Sequence, residues 1–195
     1  KIINNLLEFY DFKNQSVITV GAGGGQLIEY GRNAKNVLAI DNNEEALRKL
    51  KDNLFKAGLD DKFTLIHSDF LITNFKSDVV MFEFCLHEME DPKAAVKHAF
   101  TMAPNILITD HLPSSEWAYI VDEKEKVTKS WAVLESFPKK KIQRYETVQF
   151  FKDYEEIYQK VKIQGENSIE RISGFKYKEN INISMLYAFA SSYKT

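Results

Sequence analysis

The side chains of this 195-residue chain best suited to chemistry gather at the ends of two short apolar runs. The run 78–84 (DVVMFEF) contains Glu83 and leads into His87 and Glu88, and the run 105–109 (NILIT) leads directly into Asp110 and His111. Two of the chain's 4 histidines therefore stand at these edges. Imidazole titrates near neutrality, so His87 or His111 can serve as a general base or hold a substrate. Glu88 and Asp110 can accept hydrogen bonds from that substrate. Trp117 and Tyr119 follow closely and are the first aromatics expected to face it. The HEMED stretch pairs His87 with Asp91 at helical spacing, but the zinc-protease pattern H-E-x-x-H needs a second histidine. Asp91 is followed at once by Pro92, and no metal is expected. His67 and His98 read as structural.

A second concentration lies upstream, in VITVGAGGGQLIEY (17–30), where four of the chain's 8 glycines fall within positions 21–25. A β-branched run enters this turn and a helix-like pattern leaves it. Glycines permit positive φ and let bare backbone N–H groups approach a ligand. Asp41 follows Gly21 by 20 residues, at the end of the next apolar run. A carboxylate there can accept hydrogen bonds from both hydroxyls of a ribose, as for an adenosine ligand. The same carboxylate could also help cap the helix that follows Asn42-Asn43. A dinucleotide fingerprint, G-x-G-x-x-G, would place glycine or alanine at position 26, where this chain has Gln26.

The elements that must position these residues alternate along the first half. Strands are predicted at 16–20, 36–40, 62–67, 78–84 and 105–109, and helices at about 25–30, 43–56 and 92–102. Gly58 is placed to cap the second helix and Pro92 to open the third. This alternation predicts a doubly wound, mostly parallel sheet. Beyond it, apolar spacing predicts helices at about 114–135 and 146–161, joined by a basic turn, PKKKIQR. Two strands are predicted at about 175–183 and 185–191. With almost nothing between them they must be antiparallel.

With its G-x-G-x-G spacing the chain resembles the class I S-adenosylmethionine-dependent methyltransferases. Asp41, Ser68-Asp69-Phe70, DVVMFEFCLHEMEDP, APNILITD and the closing hairpin carry the resemblance across most of the sequence. It implies an α/β Rossmann-like fold: a seven-stranded sheet with a C-terminal antiparallel hairpin and a helical lid insertion. It divides the chain into a cofactor-binding core (1–111), a lid over the acceptor (112–163) and a closing segment (164–195). S-adenosyl-L-methionine is the implied cofactor. Gly21, Ala22, Gly23 and Gly25 would form its turn, Asp41 with Asn42 would hold the ribose, and Asp69 with Phe70 would hold the adenine. His87 matches a position near the methionine end. One residue departs from the pattern: the family usually has an acid where this chain has Thr19. That residue normally helps hold the methionine amino group, so Glu83 or Glu88 is expected to take over the task.

Composition narrows the partners. A net charge of −2 gives no bulk support for a nucleic-acid or membrane-surface role, and the strand-four loop lacks an N-P-P-Y type motif. The single cysteine, Cys85, excludes an internal disulfide and fits a reducing, cytoplasmic setting. No apolar run approaches the roughly 18 to 20 residues that span a bilayer. The first residue is not Met, so the natural chain is expected to start upstream. The expectation is methyl transfer to a small-molecule acceptor. RNA or protein methylation, or a non-catalytic module of the same fold, are the alternatives, and a homodimer stays open.

Overall fold

Successive side chains on a strand face opposite sides of the sheet, and in this chain both sides are apolar. In the computed structural model, which describes residues 1–193, Val17, Val79 and Met81 pack into one core while Ile18, Val80 and Phe82 pack into the other. Strands buried on both faces need helices above and below, and the chain supplies them.

The elements run α1 (Ile2–Phe9), β1 (Ser16–Val20), β2 (Asn36–Asp41), α2 (Glu44–Ala57), β3 (Phe63–His67), β4 (Val79–Glu83), α3 (Pro92–Met102) and β5 (Asn105–His111). They continue as α4 (Glu116–Ile120), α5 (Lys124–Glu135), β6 (Lys139–Asp153), α6 (Tyr154–Val161), α7 (Glu166–Arg171) and β7 (Glu179–Tyr193). One seven-stranded sheet takes the order β3-β2-β1-β4-β5-β7-β6. The pairs β3–β2, β2–β1, β1–β4 and β4–β5 are parallel, while β5–β7 and β7–β6 are antiparallel. The strand order therefore reverses beside β1, the place where open α/β sheets bind ligands beyond their carboxyl ends. Among the described residues no helix is long and apolar enough to cross a membrane.

The helix signals act as expected. Asn43 caps α2 by accepting from the Ala46 amide at 3.1 Å, and Gly58 closes it at φ 63°. Asp91 caps α3 by accepting from the Ala94 amide at 2.9 Å, with Pro92 in the first turn.

Four expectations need correction. The short helix expected at about 25–30 is a turn followed by a single 3-10 stretch, Ile28–Arg32. The expected helix 114–135 is two helices, α4 and α5, broken where Asp122 adopts φ 63°. The basic turn and the first half of the expected helix 146–161 form β6 instead, and the helix starts only at Tyr154, capped by Asp153. Apolar residues at 148, 150 and 151 satisfy a strand as well as a helix, and pairing with β7 decides between them. Finally, 175–183 and 185–191 do not pair with each other. They largely fall within one 15-residue strand, β7, whose antiparallel partners are β5 and β6. A strand of that length lies far above the usual five or six residues, so division in two was the natural expectation.

Candidate active site

The glycine turn joins β1 to the Ile28–Arg32 stretch, and its geometry explains its composition. Gly21 (φ 71°) and Gly23 (φ 51°) occupy the left-handed region that side chains avoid. A Cβ on Gly21 would lie 2.4 Å from the Cys85 Cβ and 2.6 Å from its Sγ. A Cβ on Gly23 would meet only open space beyond the Gly21 carbonyl oxygen at 3.9 Å, in a wall of the adjoining cavity. Gly25 (φ 83°) differs. It stands away from the cavity, and a Cβ there would strike Leu50 at 2.7 Å and Ile28 at 2.9 Å, so Gly25 serves packing.

This cavity measures about 590 Å³. Gly21, Ala22, Gly23, Asp41, Asn42, Asp69, Phe70, Glu83 and Glu88 all line it. Asp41 accepts from the Gly23 amide at 3.3 Å and the Asn43 amide at 2.9 Å, so it shapes the turn as well as facing the cavity. Asp69 accepts from the Leu71 amide at 2.8 Å through Oδ1. Phe70 is buried edge-on against Phe82 and backs the cavity from the core. Half-exposed Leu71 and Met89 also line it, although sequence gave no reason to choose them.

Thr19 reaches sideways to the adjacent strand, β4: its Oγ1 donates to Glu83 Oε1 at 2.5 Å. The Tyr30 hydroxyl donates to the same oxygen at 3.1 Å. Burial pushes the Glu83 carboxyl up to about 7, against the pull of these two bonds. A carboxyl on β4 thus stands immediately beside Thr19, the position where the resemblance leads one to expect an acid on β1.

A second cavity of about 330 Å³ adjoins the first, and Phe84 and Glu88 line both. Its walls include His87, His111, Trp117 and Glu123, with Gln159, Lys160 and Gln164 from α6 and the turn after it. Phe84, held at φ 51°, lies against the His111 ring with centroids 4.9 Å apart. His87 Nδ1–H donates to Asp110 Oδ1 at 2.6 Å, and the His87 amide donates to Oδ2 at 3.3 Å. His87 Nε2 lies 3.4 Å from Glu123 Oε2, off the line of a hydrogen bond. Burial alone would lower the His87 pKa, but Asp110 and Glu123 raise it to about 10. Burial lowers His111, the nearby His87 charge adds to that, and Asp110 opposes it. His111 Nδ1 is buried without a hydrogen-bond partner among the described residues.

Three expected site residues are placed elsewhere. Asp110 is fully buried and lines neither cavity: its oxygens hold His87 and the His111 amide. Tyr119 lines neither cavity, whereas Trp117 does, stacked on Phe151 at 6.0 Å. Two positions apart on a helix is a rotation of about 200°, which sends Tyr119 outward to Arg171. Gly25 is the third, as described above. Glu123 was not anticipated, because it arrives from the break between α4 and α5. His67 and His98 contact backbone carbonyls, at Asn42 (3.1 Å) and Thr73 (2.9 Å).

The first cavity suits an adenosine-bearing ligand. Its volume lies within the usual range of about 300 to 1,000 Å³, bare backbone at Gly21 and Gly23 forms part of its wall, and the acids Asp41, Asp69, Glu83, Glu88 and Glu90 stand around it. Comparison with known proteins agrees. Residues 18–103 match the family model described as a methyltransferase domain. A search of curated proteins by sequence finds no match. Solved structures share the fold. A SAM-dependent methyltransferase from Aquifex aeolicus superposes with a TM-score of 0.65 at 15% identity, over 98% of this chain and 89% of that one. A SAM-dependent O-methyltransferase from Thermotoga maritima gives 0.63 at 15% identity, over 100% and 65%. Magnesium protoporphyrin IX methyltransferase from Synechocystis, solved with bound SAH, gives 0.57 at 12% identity, over 97% and 79%.

Proposed function

We propose that this chain is a class I S-adenosylmethionine-dependent methyltransferase and that it methylates a small-molecule acceptor held in the second cavity. The observation that carries this reading is the meeting of two cavities at Phe84 and Glu88. One carries the glycine turn and Asp41; the other carries two histidines and, at about 330 Å³, is of a size to enclose a small acceptor.

In this reading Asp41 accepts from the ribose hydroxyls, with Asn42 beside it. Asp69 faces the adenine, and Leu71 and Met89 offer it apolar contact. Glu83 takes the methionine ammonium in place of the acid that Thr19 displaces. When bound, S-adenosylmethionine supplies an electrophilic methyl group on a sulfonium. The protein's task is then to align the acceptor with that methyl and keep water away. Phe84 and Trp117 supply apolar walls between and beside the cavities. His111, kept in its free-base form by burial, is placed to take a proton from an acceptor hydroxyl or amine. The helices α4, α5, α6 and α7 act as the lid, with β6 left in the sheet.

The test is transfer of labelled methyl from S-adenosylmethionine to a panel of small acceptors bearing O, N and S nucleophiles, with short RNA and denatured protein alongside. Transfer to a small acceptor alone supports the reading. Transfer only to RNA or protein overturns the acceptor assignment. Cofactor binding without transfer to any class favours a non-catalytic module.

A further inference from the structure

At the border between the two cavities an imidazole and two carboxylates converge. The His87 Nε2, Glu88 and Glu123 ligand atoms all lie within 4.8 Å of one another. The His87 side chain is 2% exposed, and Nε2 has no hydrogen-bond partner among the described residues. Its orientation is fixed from behind, because Nδ1–H donates to Asp110 at 2.6 Å and the His87 amide donates to the same carboxylate. With Nδ1–H committed to Asp110, Nε2 is the nitrogen offered to an ion, which displaces its proton on binding, the arrangement found behind metal-ligating histidines. Glu123 is largely buried and Glu88 is exposed at the cavity rim, and neither has a lysine or arginine partner among the described residues. Three carboxylates thus surround one imidazole.

We propose that His87 Nε2, Glu88 and Glu123 bind a divalent transition-metal ion. The 3.4 Å between His87 Nε2 and Glu123 Oε2 is the spacing of two atoms each about 2.1 Å from one ion at a near-tetrahedral angle. Glu88, the most open of the three, closes on the ion by a small side-chain shift. One nitrogen with two carboxylates and no thiolate favours Mn²⁺, Fe²⁺ or Zn²⁺ over the all-oxygen sites of Ca²⁺ and Mg²⁺. Three protein ligands leave coordination positions open toward the second cavity, as in catalytic rather than structural sites. The sequence gives no expectation of a metal, and the His87–Asp91 pairing set aside there stays unused: Asp91 is spent on capping α3, whereas Glu123, 36 positions after His87, stands beside the imidazole.

The binding itself stands on this geometry alone. Its role rests on the methyltransferase reading: Glu88 lines both cavities, so the ion would hold an oxygen or nitrogen of the acceptor beside the methyl-donor pocket.

The test uses the full chain stripped with chelator, then titrated with Mn²⁺ followed by electron paramagnetic resonance and with Zn²⁺ followed by calorimetry. One ion per chain is expected. Glu88→Gln and Glu123→Gln should each weaken binding at least about tenfold, and His87→Ala more. Glu125→Gln, an exposed neighbour on α5, should leave binding unchanged. Circular dichroism checks the fold of each variant, and Glu88→Gln, at a cavity rim, keeps the test available if His87→Ala unfolds. No stoichiometric binding, or binding indifferent to both glutamate changes, overturns the site. S-adenosylhomocysteine binding to the stripped protein is measured alongside. Retained cofactor binding without metal binding removes only the metal site; metal binding without cofactor binding removes only the methyltransferase reading.

Discussion

Thr19 donates a 2.5 Å hydrogen bond to Glu83, so a hydroxyl on β1 holds an acid on β4. The two strands are direct parallel neighbours, with Thr19 opposite Met81, two residues before Glu83. Thr19 therefore supports the carboxyl proposed to hold the methionine ammonium.

That pairing has a signature in stability. Glu83 has its folded pKa raised from 4.5 to about 7, mainly by burial. A raised carboxyl stabilises the fold below its unfolded pKa, and this contribution is lost as pH rises through about 7. Thr19 favours the ionised form, so Thr19→Val should raise the Glu83 pKa further. The variant should cost about 1 to 3 kcal/mol well above neutrality and less near pH 5. Urea unfolding of wild type, Thr19→Val and Glu83→Gln at both ends of this range measures it. Equal destabilisation by Thr19→Val at both pH values would contradict the account.

Cofactor affinity should follow the same carboxyl. A bound ammonium favours the anion, so affinity should rise as pH increases from about 5.5 to about 8, with protons released on binding at the acid end. Glu83→Gln should bind more weakly and lose most of this dependence. Calorimetry in buffers of different ionisation enthalpy reads the proton count. A wild-type profile that is flat across this range would remove Glu83 from the ammonium site.

The glycine turn should tolerate no side chain at its first position. Gly21→Ala places a methyl 2.4 Å from the Cys85 Cβ at φ 71°. It should lower stability by about 1 to 3 kcal/mol and weaken cofactor binding together. Cys85→Ala keeps the offending Cβ, so it should not rescue Gly21→Ala. Full rescue would show that the contact had been misassigned.

His111 should matter for turnover and little for cofactor affinity. His111→Ala should lower kcat by about a hundredfold, the lower range of general-base effects, while S-adenosylhomocysteine affinity changes less than about threefold. Unchanged turnover would leave His111 as a packing partner of Phe84.

Much of the first cavity was legible because its signals are local. Glycines at forced dihedrals, an acid at a strand end and a cap before a helix each act within a few residues, and Gly21, Gly23 and Asp41 lie where the sequence placed them. The second cavity was less legible because it is assembled from distant segments. Nothing near Glu123 announces that the α4–α5 break will set it 3.4 Å from His87. Asp110 looked like a substrate ligand, yet burial turned it into the support of His87. The residues of β6 were ambiguous for a related reason: only the β7 partner, which follows two intervening helices, decides between strand and helix.

The most direct measurement of the central claim is calorimetric titration of the full chain with S-adenosylhomocysteine, beside Asp41→Ala. The account predicts one site per chain in the wild type and at least about tenfold weaker binding in the variant. Absence of wild-type binding at about 1 mM ligand, or equal binding by Asp41→Ala, would contradict it.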